Sequence, residues 1–117
     1  MVDIGLGRFA AAQVVLEGVD AAHAADPGTE ELPVIGSDYY TMVRIFATFG
    51  GTVTDADLDV WVQEGEDWFL LESVELDPST DGQAVDVMVG AGTRFGITVS
   101  NLSGSGGEIS VSVRGIA

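Results

Sequence analysis

Apolar and polar residues alternate most regularly within residues 52–76. Every second position of the first half is apolar, at Leu58, Val60 and Val62. A period of two residues is typical of a β-strand with one buried face. The polar run that follows contains Gly65, as a tight turn often requires. These residues are therefore predicted to form a β-hairpin whose return strand begins at Trp68.

Four more segments have strand patterns. Residues 39–49 are apolar on both faces, which predicts a central strand with one face in the core and the other partly covered. Three later segments alternate cleanly, with apolar positions at Val85, Val87 and Val89, at Phe95, Ile97 and Val99, and at Ile109, Val111 and Val113. Runs of glycine, proline, serine and aspartate separate the segments and predict turns.

The first third of the chain is less regular. Its alanines favour a helix within residues 9–25, but residues 12–18 also fit a strand closed by glycine, and we prefer the strand. Residues 30–35 are predicted to form a short strand, and Pro33 within it indicates an edge position. Residues 1–10 have no clear period and are predicted to form a flexible arm.

About eight short strands with turns between them predict an all-β fold. One sheet alone would leave its apolar face in water, so we expect an antiparallel sandwich of two sheets, either jelly-roll or immunoglobulin-like. Residues 11–117 are predicted to form this single domain. The predicted core consists of the alternating apolar residues: Leu58, Val60, Val62, Val85, Val87, Val89, Phe95, Ile97, Val99, Ile109, Val111 and Val113.

The charge balance is extreme, because 19 carboxylates face four arginines and the net charge is −15. Such a charge argues against binding nucleic acid or an anionic membrane surface, since both depend on cationic contacts. It favours solubility and opposes self-association at low salt. The chain has no cysteine, which excludes disulfides and thiolate metal sites.

Acidic residues near the start of the hairpin resemble a calcium loop. With Asp55 as position 1, Glu66 falls at position 12 of an EF-hand pattern. However, position 6 is Val60 rather than glycine, and the flanking residues have no helical period. No metal is therefore predicted, and only a weak cation site remains a candidate, at Asp55, Asp57 and Asp59.

The sequence contains no recognisable catalytic arrangement. His23 is the only histidine, and no serine lies in the sequence context of a catalytic nucleophile. Pairs of carboxylates occur by chance in so acidic a chain and do not indicate glycosidase chemistry. We therefore predict that the protein is not an enzyme and needs no cofactor.

Trp61 is predicted to point outward, because it alternates with the buried residues of its strand. An outward tryptophan can belong to a protein interface, form a platform for stacking a sugar, or be partly covered by its own chain. The interface is the preferred interpretation.

Several segments together resemble a family of small β-sandwich proteins from phage virions. These segments are QVVLEGVDA, VRIFATFGG, DLDVWVQEGEDW, TRFGITVSNLSG and EISVSVRGIA. The turn EGEDW replaces the more usual Asp-Gly-x-x-Trp of the family, and the carboxylate excess is also unusual.

The resemblance implies a capsid decoration (cement) protein that binds the major capsid protein and stabilises the particle. It implies synthesis in the host cytoplasm, a place on the outer capsid surface, and a homo-oligomer, preferably a trimer. The predicted interface residues are Trp61 and Tyr40 in the domain and Arg8 and Phe9 in the arm. The alternative is a carbohydrate- or receptor-binding module of a phage tail fibre, with Trp61 and nearby carboxylates at the glycan.

Overall fold

The computed structural model describes residues 13–20, 35–37 and 40–116. Within these ranges the chain forms strands joined by turns, and no helix is present. The strands are β1 (Gln13–Val19), β2 (Ile35–Gly36), β3 (Met42–Gly50), β4 (Asp55–Glu64), β5 (Asp67–Glu75), β6 (Gly82–Met88), β7 (Arg94–Ser103) and β8 (Glu108–Ile116). The predicted arm, residues 1–10, lies outside the described residues.

The eight strands form two antiparallel sheets of four strands each, which confirms the predicted two-sheet sandwich. Sheet A has the order β1-β8-β3-β6, and sheet B has the order β2-β7-β4-β5. Strands therefore pair as 1 with 8, 2 with 7, 3 with 6 and 4 with 5, as if one long hairpin had been rolled up. This strand order is that of a jelly roll, so the jelly-roll alternative is observed rather than the immunoglobulin-like one.

One hydrophobic core lies between the sheets. Ten of the twelve residues predicted for the core are buried, and the other two, Val62 and Val85, are half-buried and pack against it. The core also contains residues that alternation alone did not identify: Val15, Leu16, Ile35, Tyr40, Val43, Ile45, Ala47, Ala56 and Leu76. The period of two therefore predicted correctly which side chains of these strands face the core.

Two less regular predictions are also confirmed. β3 is a central strand of sheet A, with buried residues alternating with partly covered ones along most of its length. β1 is a strand, as preferred over a helix, and its pairing with β8 contains two irregularities. β2 is an edge strand of only two residues in sheet B, and residues 30–34 of the predicted strand lie outside the described ranges.

The β4–β5 hairpin closes with a two-residue turn in which Gly65 has a φ of +65°, as the sequence predicted. Further along, Val60 lies opposite Glu72, while Trp61 lies opposite Leu70. Leu71 is therefore an extra residue in β5, that is, a β-bulge. A bulge of this kind bends the strand and reverses the face of the residues beyond it.

The loop after β3 packs tightly against the loop between β7 and β8. Backbone hydrogen bonds join Thr52 N to Ser105 O at 3.2 Å and Thr54 N to Ser103 O at 2.8 Å. Gly104 has a φ of +133°, and a Cβ at this position would collide with the carbonyl group of Thr52. The close approach of the two loops therefore requires glycine at this position.

We expect Gly104→Ala to lower the free energy of unfolding by about 3 kcal/mol, because it adds a collision to an unfavourable φ. Gly106→Ala is the matched control, since Gly106 has a φ of +63° but nothing within 4 Å of an added Cβ. The control should cost only about 1 kcal/mol. Urea unfolding of both variants measures the difference, and equal losses would show that the loops can separate without cost.

Candidate functional site

Trp61 lies on the face of sheet B that points away from the core. In the strand register it is opposite Leu70 of β5 and Gly96 of β7. Its indole Nε1–H donates a hydrogen bond of 2.9 Å to the Oγ1 atom of Thr98. The ring therefore leans from β4 towards β7, where Gly96 has no side chain to obstruct it. As a result Trp61 is half-buried by its own chain rather than freely exposed.

The middle of this outer face is well covered. Thr98, which accepts the indole hydrogen bond, has no exposed surface. Asp59 is opposite Thr98 and is only 9% exposed, and its Oδ1 atom accepts a hydrogen bond of 2.6 Å from the hydroxyl of Ser73. The buried side chains of Thr98 and Asp59 thus have hydrogen-bond partners, as burial requires. These hydrogen bonds join neighbouring strands, so the polar groups at the centre of this face contribute to the stability of the fold.

Among the residues that the structure describes, the largest exposed apolar cluster lies at the edge of sheet B, in β5. We define the β5 edge as Phe69, Leu70 and Leu71, which are 54%, 52% and 45% exposed. Phe69 is opposite Val62, on the core side of the sheet, whereas Leu70 is opposite Trp61, on the outer side. Among the described strands, β4 is the sole neighbour of β5. The β5 edge therefore presents apolar surface on both sides of the sheet.

The exposure of these three side chains was not predictable from the sequence pattern. The run Trp68-Phe69-Leu70-Leu71 is continuously apolar, a pattern that also fits a strand buried on both faces. Only Trp68 is half-buried, opposite Gln63. An apolar run at the edge of a sheet identifies a candidate binding surface. The run is visible in the sequence, but the edge position is not, because strand order cannot be read from composition.

The three candidate cation ligands do not converge. Asp57 accepts a hydrogen bond of 2.7 Å from the side-chain amide of Asn101 in β7, while Asp59 is held by Ser73 in β5. Asp55 lies with Asp57, Glu75 and Asn101 along a shallow open groove. In the part of the chain that the structure describes, no group of three or more histidine or acidic side chains could hold a metal ion.

The other predicted interface residues fall into two groups. Tyr40 is only 7% exposed and belongs to the hydrophobic core, so its side chain is not on a surface open to a partner. Its assignment to an interface stays a prediction, and this burial does not favour it. Arg8 and Phe9 lie outside the described residues, as does His23.

The outer face of sheet A carries an ion pair. Arg44 of β3 is opposite Asp86 of β6, and its Nε and Nη2 atoms donate hydrogen bonds of 2.7 and 3.0 Å to the two carboxylate oxygens. These hydrogen bonds from Arg44 lower the pKa of Asp86, and partial desolvation opposes the shift. The same contacts raise the pKa of Arg44. Both side chains are more than one-third exposed, so the pair is a surface feature.

Comparisons of the chain with protein-family models, with curated proteins and with solved structures found no match. Among the residues that the structure describes, no helix is long and apolar enough to cross a membrane.

We expect Trp61→Phe to lower the free energy of unfolding by about 1 kcal/mol, because Thr98 loses its hydrogen-bond donor while remaining buried. Thr98→Val should cost a similar amount. If the indole–hydroxyl bond is the common cause, the double variant will cost about 1 kcal/mol less than the sum of the two single variants. Urea unfolding of all four proteins completes this cycle, and strict additivity would contradict the proposed coupling.

The ion pair predicts a specific dependence on pH. Because folding lowers the pKa of Asp86 below its ordinary value of 3.8, the pair stabilises the folded protein above that pH. This stabilisation is lost as the pH falls through the lower pKa of the folded state. We therefore expect Asp86→Asn to be less stable than wild type near neutral pH, with the gap closing in strong acid.

Urea unfolding of both proteins over a series of pH values tests the ion pair. Asp81→Asn, at an exposed aspartate outside the ion pair, is the control for loss of one negative charge. A gap between wild type and Asp86→Asn that stays constant through the acid range would contradict the prediction.

Proposed function

We propose that this chain is a capsid decoration protein, which binds the major capsid protein on the outside of a phage particle and stabilises the particle. The proposal joins the sequence resemblance to one structural observation, the exposed β5 edge. The jelly roll by itself does not identify a function, because the same fold supports capsid, lectin and enzyme proteins.

The β5 edge favours a protein partner. Phe69, Leu70 and Leu71 expose about half of their surface each, next to one another, in a chain with a net charge of −15. Covering apolar surface stabilises a complex by about 25 cal/mol per Å². Scattered apolar residues are ordinary on a surface, but three in sequence at a sheet edge indicate a surface that a partner covers.

The acidic surface fits a component of the outside of a particle. Carboxylates repel other acidic particles, and they also oppose association of the free protein at low ionic strength. A homotrimer on the capsid is part of this proposal, by resemblance to decoration proteins. Sedimentation of the free protein over a range of salt concentrations would measure how strongly the charge opposes that assembly.

The structure gives less support to the glycan-binding alternative. Stacking a sugar needs an open aromatic face and free polar groups beside it. Trp61 is half-buried, and its indole N–H already donates to Thr98. Glycan-array binding that Trp61→Ala abolishes would favour the alternative over the decoration protein.

We expect mass spectrometry of purified particles from the virus that encodes the chain to find it in a fixed ratio to the major capsid protein. Particles that lack it should assemble but release their genome at a lower temperature. When purified protein is added back, Leu70→Glu should restore less occupancy than wild type, because it places a charge within the buried apolar contact.

Met88→Glu is the matched control for the particle experiment. Met88 is 66% exposed on β6, an edge strand of the other sheet, so this variant adds the same charge to a different edge. Absence of the chain from mature particles would contradict the proposed function. Equal occupancy for the two variants would contradict the part played by the β5 edge.

A further inference from the structure

We propose that the β5 edge binds an extended segment of a partner protein in which apolar side chains are flanked by lysine or arginine. The inference deepens the proposed function, which supplies the biological source of the segment. Its evidence is the arrangement of exposed apolar and acidic side chains along β5.

The apolar part of the edge determines the shape of the partner. Phe69 lies on the core side of sheet B, Leu70 lies on the outer side, and Leu71 is the bulged residue between Leu70 and Glu72. A flat surface could cover only one of these sides. A narrow, extended segment that runs along the edge can contact all three side chains.

The charges beside the apolar residues determine the chemistry of the partner. Glu66 and Asp67 precede the β5 edge, Glu72 and Glu75 follow it, and all four are exposed. The chain has no lysine or arginine at any position between Arg44 and Arg94. Arg94 is on β7, two strands away from β5. We therefore expect cations that contact these carboxylates in a complex to come from the partner, on both sides of its apolar centre.

A second copy of this chain does not fit the edge. It would bring the same acidic residues, Glu66, Asp67, Glu72 and Glu75, against their counterparts without a cation from either strand. Like charges that face each other across paired strands are destabilising. Charged residues at strand edges are also a common protection against edge-to-edge association.

The bulge argues against a continuous backbone ladder with the partner. Leu71 is an extra residue in β5, and a bulge disrupts the regular spacing of main-chain hydrogen bonds along a strand. Side-chain contacts should therefore provide most of the affinity. This distinguishes the proposed site from simple addition of a strand to an open sheet.

A labelled synthetic peptide, Lys-Arg-Val-Leu-Val-Arg-Lys, tests the proposal by fluorescence anisotropy with the full chain. We expect wild type to bind it and Leu70→Glu to weaken binding about tenfold, because the apolar contact is lost. Met88→Glu adds the same negative charge on the other sheet and should not weaken binding. A peptide with glutamine in place of lysine and arginine should bind wild type about tenfold more weakly.

The two glutamate variants separate the proposed site from general attraction to an acidic protein. General attraction would leave both variants equal to wild type or slightly tighter, and this result would overturn the proposal. Equal binding of the glutamine peptide would overturn the requirement for cations. Phe69→Ser replaces Leu70→Glu if circular dichroism shows that the latter does not fold.

A second copy as occupant would also be detected. Self-association of wild type that Leu70→Glu abolishes and Met88→Glu preserves would show that the edge binds another copy, and would overturn the proposal. Peptide binding and particle occupancy are independent measurements. If the chain is incorporated into particles but does not bind the peptide, this inference alone is rejected. If the chain binds the peptide but is absent from particles, the proposed function alone is rejected.

Discussion

Packing of the two sheets against each other is the interaction on which the rest of the molecule depends. Val43 and Ile45 of sheet A, together with Leu58 and Val60 of sheet B, have no exposed surface. The chain has no cysteine for disulfides, so burial of such side chains must offset the conformational entropy lost on folding. This packing also has a geometric consequence: two open sheets leave edge strands, whose outermost side chains cannot be covered on both sides.

The charge distribution follows from the same constraint. With the inner faces apolar, the carboxylates of the described residues lie on outer faces, turns and edges. The four arginines of the chain cannot balance its 19 carboxylates. Arg44 forms a two-point contact with Asp86, and this is a local exception on sheet A. The protein therefore combines a stable apolar interior with a surface that repels its own copies. Such a surface restricts association to partners that supply positive charge or bury apolar groups.

The sequence contained the information for the strands and their inner faces but not for their neighbours. A period of two identified Leu58, Ile97 and Val111 as core residues because each strand has one face against the other sheet. Strand order depends on contacts between residues far apart in the chain. The choice between a jelly roll and an immunoglobulin-like sandwich, and the edge position of β5, were therefore not predictable. Trp61 was placed on the correct face, but its coverage depends on Gly96 and Thr98 in a neighbouring strand. The burial of Tyr40 was not predictable either, because it depends on packing with residues distant in the chain.

The residues of the β5 edge and the acidic residues beside it combine resistance to self-pairing with an exposed apolar surface. Polar side chains along the whole β5 edge would be enough to protect the protein from aggregation. The edge instead retains Phe69, Leu70 and Leu71, each about half exposed, with acidic residues before and after them and a bulge within them. The acids and the bulge act against pairing with an identical strand, whereas the apolar residues favour contact with any strand or segment. Under the proposed function, they together favour a partner of opposite charge over an identical copy, as expected of an interface that forms on one surface and not in free solution.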